Sequence, residues 1–148
     1  MKQIRSDIEV GTSVERVWNV LTDFQAFPEW NPFIPRAGGE VKTGARLKLF
    51  IRPPGGRGMS VQPTLLKVEP GRELRWLGHL TMPGLFDGEH YFILDHIDDD
   101  RMRLTQGEVF TGVLVPLLSV TGLFKSTLEG FEEMNHALKS RAEQGMSN

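Results

Sequence analysis

At 148 residues, 39% hydrophobic and 24% charged, the chain is long enough to bury a core as one domain, 1–148, and ordinary enough in composition to be globular. Its net charge of −2 supplies no basic face for nucleic acid, and the absence of cysteine excludes disulfides, thiol catalysis and cysteine-ligated metals. The amino terminus lacks an apolar signal core, and the longest apolar stretch, 113–124, is shorter than the roughly 20 residues that span a bilayer, so the expectation is a cytoplasmic protein with no transmembrane segment.

Ile4, Ser6, Ile8 and Val10 alternate with Arg5, Asp7 and Glu9, the pattern of a half-buried first strand that Gly11 ends. Thr12 and Glu15 have capping-box spacing, which predicts a helix carrying Val14, Val17, Trp18 and Leu21 inward. Asp23 suits the start of a second short turn that Pro28 limits. Trp30-Asn31-Pro32-Phe33 then reads as an extended link lined with large apolar groups.

Strand-like runs follow at 46–52 and 59–69, joined through Pro53-Pro54-Gly55-Gly56. That tip lacks the Lys-Ser/Thr of a phosphate loop. Turns at Pro70-Gly71, Met82-Pro83-Gly84 and Asp98-Asp99-Asp100 separate further strands at 73–81, 85–96 and 101–111. Links this short cannot hold a crossover, so the strands form an antiparallel meander. Gly78, Gly88, Gly107 and Gly112 lie in or beside strands, where glycine permits bulges and curvature.

Over 119–143, Val120, Leu123, Phe124, Thr127, Leu128, Phe131, Met134, Asn135 and Leu138 recur at spacings of three and four. One long amphipathic helix is expected there. The order β-α-α-β-β-β-β-β-α describes an α+β domain whose sheet wraps its final helix.

This order, together with Thr-Asp-Phe-x-x-Phe-Pro-x-Trp-Asn-Pro-Phe at 22–33, resembles the START-like, polyketide-cyclase-type superfamily (SRPBCC, Bet v 1-like). Arg72-Glu73-Leu74-Arg75-Trp76, Gly88-Glu89-His90-Tyr91-Phe92 and Glu108-Val109-Phe110-Thr111-Gly112 carry the same likeness. The resemblance implies a helix-grip fold, with a curved antiparallel sheet around an apolar cavity. It spans ligand carriers, sensors, aromatase/cyclases and hydrolases, so it assigns no reaction.

Strand register sharpens the candidate site. If the Asp98-Asp99-Asp100 turn joins 97 to 101, opposed residues sum to about 198, which sets His90 against Glu108, Phe92 against Gln106 and Leu94 against Leu104. The same reasoning brings Trp76 beside His90. A Trp-His-Glu row in apolar surroundings would anchor a ligand's polar group, or act as an acid/base pair on an enolisable substrate. Its structural alternatives are a cross-strand hydrogen bond at the sheet end, or a register in which one side chain faces water. Trp30, Phe33, Trp76, Phe86, Phe92, Phe110, Phe124, Leu128 and Phe131 are the candidate cavity wall, and simple core packing is the competing reading.

His79, His96 and His136 match no metal-binding spacing, and no metal or cofactor is expected. No serine sits in a nucleophile elbow. The 112–124 segment reads as a lid or entrance, as a homodimer patch, or as a buried connection. The reading that follows is a binder of a small hydrophobic molecule, with ring-containing or acyl ligands in view. A cyclase- or dehydratase-like enzyme using His90 and Glu108, and a protein-interaction module, are its alternatives.

Overall fold

In the computed structural model, which describes residues 1–144, a five-stranded antiparallel sheet packs against a long terminal helix. Strands β1 (Lys2–Val10), β5 (Thr64–Glu69), β6 (Glu73–His79), β7 (Asp87–Asp98) and β8 (Arg101–Thr111) form it in the order β1-β8-β7-β6-β5. A smaller sheet holds β2 (Arg36–Gly38), β3 (Lys48–Ile51) and β4 (Met59–Val61). Helix α1 (Val14–Thr22) and a 3-10 helix (Phe24–Glu29) follow β1; α2 (Val115–Leu118) and α3 (Leu123–Glu143) close the chain.

The meander has the expected register. His90 opposes Glu108, Phe92 opposes Gln106, and Leu94 opposes Leu104, while Trp76 opposes His90 on the other side. At the tip of the β7–β8 hairpin the register shifts, and Asp98 rather than Ile97 pairs with Arg101. The Asp98 carboxylate accepts from Asp100 N at 2.9 Å, closing that turn locally.

Elsewhere the expectations need correction. Ser13, not Thr12, caps α1: its Oγ accepts from Arg16 N at 3.2 Å, while Thr12 is buried. Val17, Val20 and Leu21 face the core, with Val14 and Trp18 at its margin. The run 59–69 is not one strand. Pro63 has no N–H for a ladder, and there the chain leaves β4 in the small sheet and enters β5 in the large one. The short strand β2 had no expectation.

The terminal helix is also shorter than its periodicity indicates. Gly122 adopts φ 81°, a left-handed conformation that glycine takes without steric cost, and α3 begins after it. Val120 therefore lies outside the helix and is 82% exposed rather than inward-facing. The inner stripe of α3, Phe124, Thr127, Phe131, Met134, Asn135 and Leu138, is buried against the sheet.

On the sheet's outer face Tyr91 is buried opposite Gly107. Its ring covers the glycine so closely that a Cβ there would collide with it. Gly88 and Gly107 thus make room for side chains, whereas the sheet's irregularities fall at Leu65/Lys67 and His96/Asp98.

Candidate functional site

Three strands bring the polar row together. Trp76, His90 and Glu108 share the concave face because each stands an even number of residues from its apolar neighbours Leu74, Phe92 and Phe110. The Trp76 and His90 rings stack at 4.9 Å and 17°. Phe131 meets His90 edge-on at 4.9 Å and Phe92 lies at 5.0 Å, so the imidazole is enclosed by aromatic groups and is 2% exposed.

Both ring nitrogens of His90 nevertheless face oxygen. Nδ1 lies 3.2 Å from Glu108 Oε1 and Nε2 lies 2.9 Å from Gln106 Oε1. Gln106, fully buried, donates from Nε2 to Asn135 Oδ1 at 2.8 Å and to Phe131 O at 3.4 Å. Asn135 in turn donates from Nδ2 to Ser6 O at 3.4 Å. One hydrogen-bonded thread therefore runs from Glu108 through β7 and β8 into α3 and on to β1. A buried network of this kind is stable only when each member is satisfied.

Glu108 ends the thread at a less buried position, its side chain 17% exposed. Its carboxylate lies over Gly88, where any Cβ would strike Oε2. Glycine at 88 is thus a spatial condition for the carboxylate to sit beside His90. Sequence reasoning paired His90 with Glu108 but missed Gln106 as the partner of the second nitrogen. Its place opposite Phe92 put it on the inner face, which was the available signal.

The remaining candidates fall into groups. Phe86, Phe110 and Phe124 form one aromatic cluster, with Phe86 stacked on Phe110 at 5.2 Å and Phe110 4.8 Å from Phe124. Phe33 packs edge-on against Phe131 at 5.5 Å. Leu128 is half-buried against the core. Trp30 contacts Phe27 at 5.1 Å and makes no ring contact with the His90 group among the described residues. Asn31 turns its Oδ1 to the backbone, accepting from Phe33 N and Ile34 N at 3.0 and 2.8 Å.

The segment after β8 borders the Phe86 cluster. Val113 N donates to Gly84 O at 3.1 Å and Leu114 N to Leu85 O at 3.0 Å, joining this segment to the β6–β7 loop. Val115 and Phe124 are buried, while Val113, Leu117 and Met82 are exposed. His79 lies apart, its Nδ1 2.7 Å from Asp87 Oδ1. His136 lines an open groove of about 560 Å³ with Pro32, Pro54, Glu129, Glu132 and Glu133. No described helix is long and apolar enough to cross a membrane.

A family model described as polyketide cyclase / dehydrase and lipid transport matches residues 1–143. The chain belongs to that family. Its fold is similar to the Zhui aromatase/cyclase from Streptomyces sp. R1128, with TM-score 0.79 and 16% identity over 98% of this chain and 95% of that one. A START superfamily protein from Mycobacterium smegmatis is similar with TM-score 0.76 and 20% identity, covering 96% of this chain and 97% of that one. A protein from Bacillus cereus gives TM-score 0.71 and 18% identity with both chains covered in full. At these identities the family member shares a helix-grip fold with its neighbours, and the likeness carries no reaction. No curated protein matches the sequence.

Proposed function

We propose that this family member binds a small hydrophobic molecule, ring-containing or acyl, on the concave side of the sheet, with the His90–Glu108 pair orienting one polar group. The observation that carries this reading is a hydrogen-bonded His–Glu pair set among aromatic rings, with its carboxylate at the less buried end. Isolated polar groups in such surroundings are costly unless matched, and ligand sites combine apolar walls with a few placed polar atoms. On this reading Phe86, Phe110 and Phe124 would form the inner wall and the 112–124 segment its entrance. Family membership and the fold neighbours support a hydrophobic ligand.

A second reading is a cyclase- or dehydratase-like enzyme in which the same pair moves a proton on a carbonyl compound. It is favoured by the 3.2 Å separation of Nδ1 and Oε1, which is within reach for general acid–base chemistry.

Native mass spectrometry of gently purified protein tests the first reading. A discrete co-purifying mass that is lost in Trp76→Ala or Phe131→Ala supports an internal site and names its chemical class. Survival of that mass in both variants would place the molecule elsewhere and sink the proposal. The enzyme reading expects Glu108→Gln to retain the bound compound while turnover falls by about 10²- to 10⁴-fold; unchanged turnover counts against it.

A further inference from the structure

From Ser6 to His90 the direction of each hydrogen bond in the thread is set by its carbonyl ends. Ser6 O and Phe131 O are backbone carbonyls and can only accept. Asn135 must therefore present Nδ2 to Ser6 O, which turns its Oδ1 towards Gln106. Gln106 must present Nε2 to both Asn135 Oδ1 and Phe131 O, which turns its Oε1 towards His90. His90 Nε2 is then obliged to be an N–H donor. Two independent carbonyls agree on this orientation, and reversing either amide would set oxygen against oxygen in a buried place.

With a proton fixed on Nε2, a hydrogen bond between Nδ1 and Glu108 Oε1 can be made in two ways that leave the pair neutral. Either Nδ1 carries a proton and donates to the carboxylate, or the carboxylic acid donates from Oε1 to Nδ1. The pair has zero net charge in both. In both, moreover, the second oxygen, Oε2, has lone pairs and no proton. Among the described residues Oε2 has no hydrogen-bond partner, and it lies over Gly88 beside the Phe110 ring.

We propose that Glu108 Oε2 is the recognition atom of the site and that it accepts, so the ligand is a hydrophobic molecule bearing a neutral hydroxyl or N–H donor. Gln106 and Asn135 are the positioning residues that impose this polarity, and Gly88 leaves the space that Oε2 occupies. This rests on the cavity-binding reading above and narrows it. A ligand carboxylate would bring acceptor lone pairs against an acceptor, so free acids are selected against.

Three probes of one ring size test it by calorimetry on the full chain: 2-naphthol, 2-methoxynaphthalene and 2-naphthoate. The naphthol is expected to bind at least about tenfold more tightly than the methyl ether, the effect of one hydrogen bond to a charged or strongly polarised group, and the naphthoate most weakly. Glu108→Leu and Gly88→Ala, each confirmed folded by circular dichroism, should bring naphthol and ether to within about twofold, the residual scatter of a lost hydrogen bond. Nitrogen-15 spectra of the His90 ring in the ligand-free protein should show a proton on Nε2, and that signature should change in Gln106→Leu, which removes its acceptor. An unprotonated Nε2, or equal binding of naphthol and ether by the unaltered chain, overturns this inference alone. Binding of none of the three probes overturns it together with the cavity reading beneath it.

Discussion

Gly107 illustrates how a single missing side chain organises the sheet. The phenol end of Tyr91 lies over it, receives a hydrogen bond from Gln3 Nε2 at 2.7 Å, and the ring carries the Arg75 guanidinium at 4.7 Å. The ring covers backbone that glycine leaves bare, and its polar tip is satisfied. Because Tyr91 is held from both sides, it cannot yield to a new methyl group. Gly107→Ala should therefore destabilise the protein by about 1–3 kcal/mol, the usual cost of overpacking, despite alanine's lower backbone entropy cost. In a Tyr91→Ala background the same substitution should cost almost nothing. Urea unfolding of the four proteins measures this, and an undiminished cost in the double variant would show that something other than the ring is responsible.

At the scale of elements, α3 is docked by a notch and a clasp. Its interior glycine, Gly130, lies against the Phe33 ring, which a Cβ would strike. An exposed helical Gly→Ala change gains about 1 kcal/mol, so the sign here decides between propensity and packing. Since Phe33 is buried and also packed on Phe131, packing should win. Gly130→Ala is expected to lower stability by about 1–3 kcal/mol in thermal or chemical unfolding; a gain would mean Phe33 has room to move.

The clasp joins the helix end to the turn after β1. Glu143 Oε2 accepts from Gly11 N at 2.6 Å and from Lys139 Nζ at 2.7 Å. The bond from Lys139, then that from Gly11, holds the Glu143 carboxyl below its ordinary value of 4.5. A depressed carboxyl contributes stability that is present above the unfolded value and lost as pH falls through the folded one. Glu143→Gln should thus cost about 0.5–1 kcal/mol at neutral pH, after discounting for partial exposure. The gap between the two proteins should narrow progressively below pH 4.5. A gap that persists unchanged at lower pH would show that the carboxylate's charge is not involved.

Elements differ in how far sequence exposes them. Alternation and the compact Asp98-Asp99-Asp100 turn set the β7–β8 register, and with it the His90–Glu108 pair, because a one-residue slip would have reversed both faces. The helical stripe likewise identified the buried side of α3. What periodicity cannot carry is the azimuth and height at which that helix meets the sheet. Gln106 and Asn135 are 29 residues apart, and their contact depends on this docking alone. The start of α3 was obscured for a simpler reason: the apolar spacing continues back through Val120, while the break depends on one backbone angle at Gly122.

For the whole molecule, the polar thread matters because it connects distant parts of the chain. Ser6 on the first strand, Gln106 on the last and Asn135 on the closing helix share one set of hydrogen bonds. Removing one member of such a buried set leaves its neighbour unpaired, so each truncation includes a desolvation penalty as well as the lost bond. Gln106→Leu and Asn135→Leu should each cost about 1–3 kcal/mol or more on that account. Together they should cost distinctly less than their sum, because the second change removes a group that the first has orphaned. A double-mutant cycle in chemical denaturation isolates this coupling. Additive costs would mean that the thread does not couple sheet to helix and is a local feature of each end. Coupling of about 1 kcal/mol or more, which contacting residues in one network commonly show, would make the orientation of α3 against the sheet and the proton on His90 Nε2 parts of one arrangement.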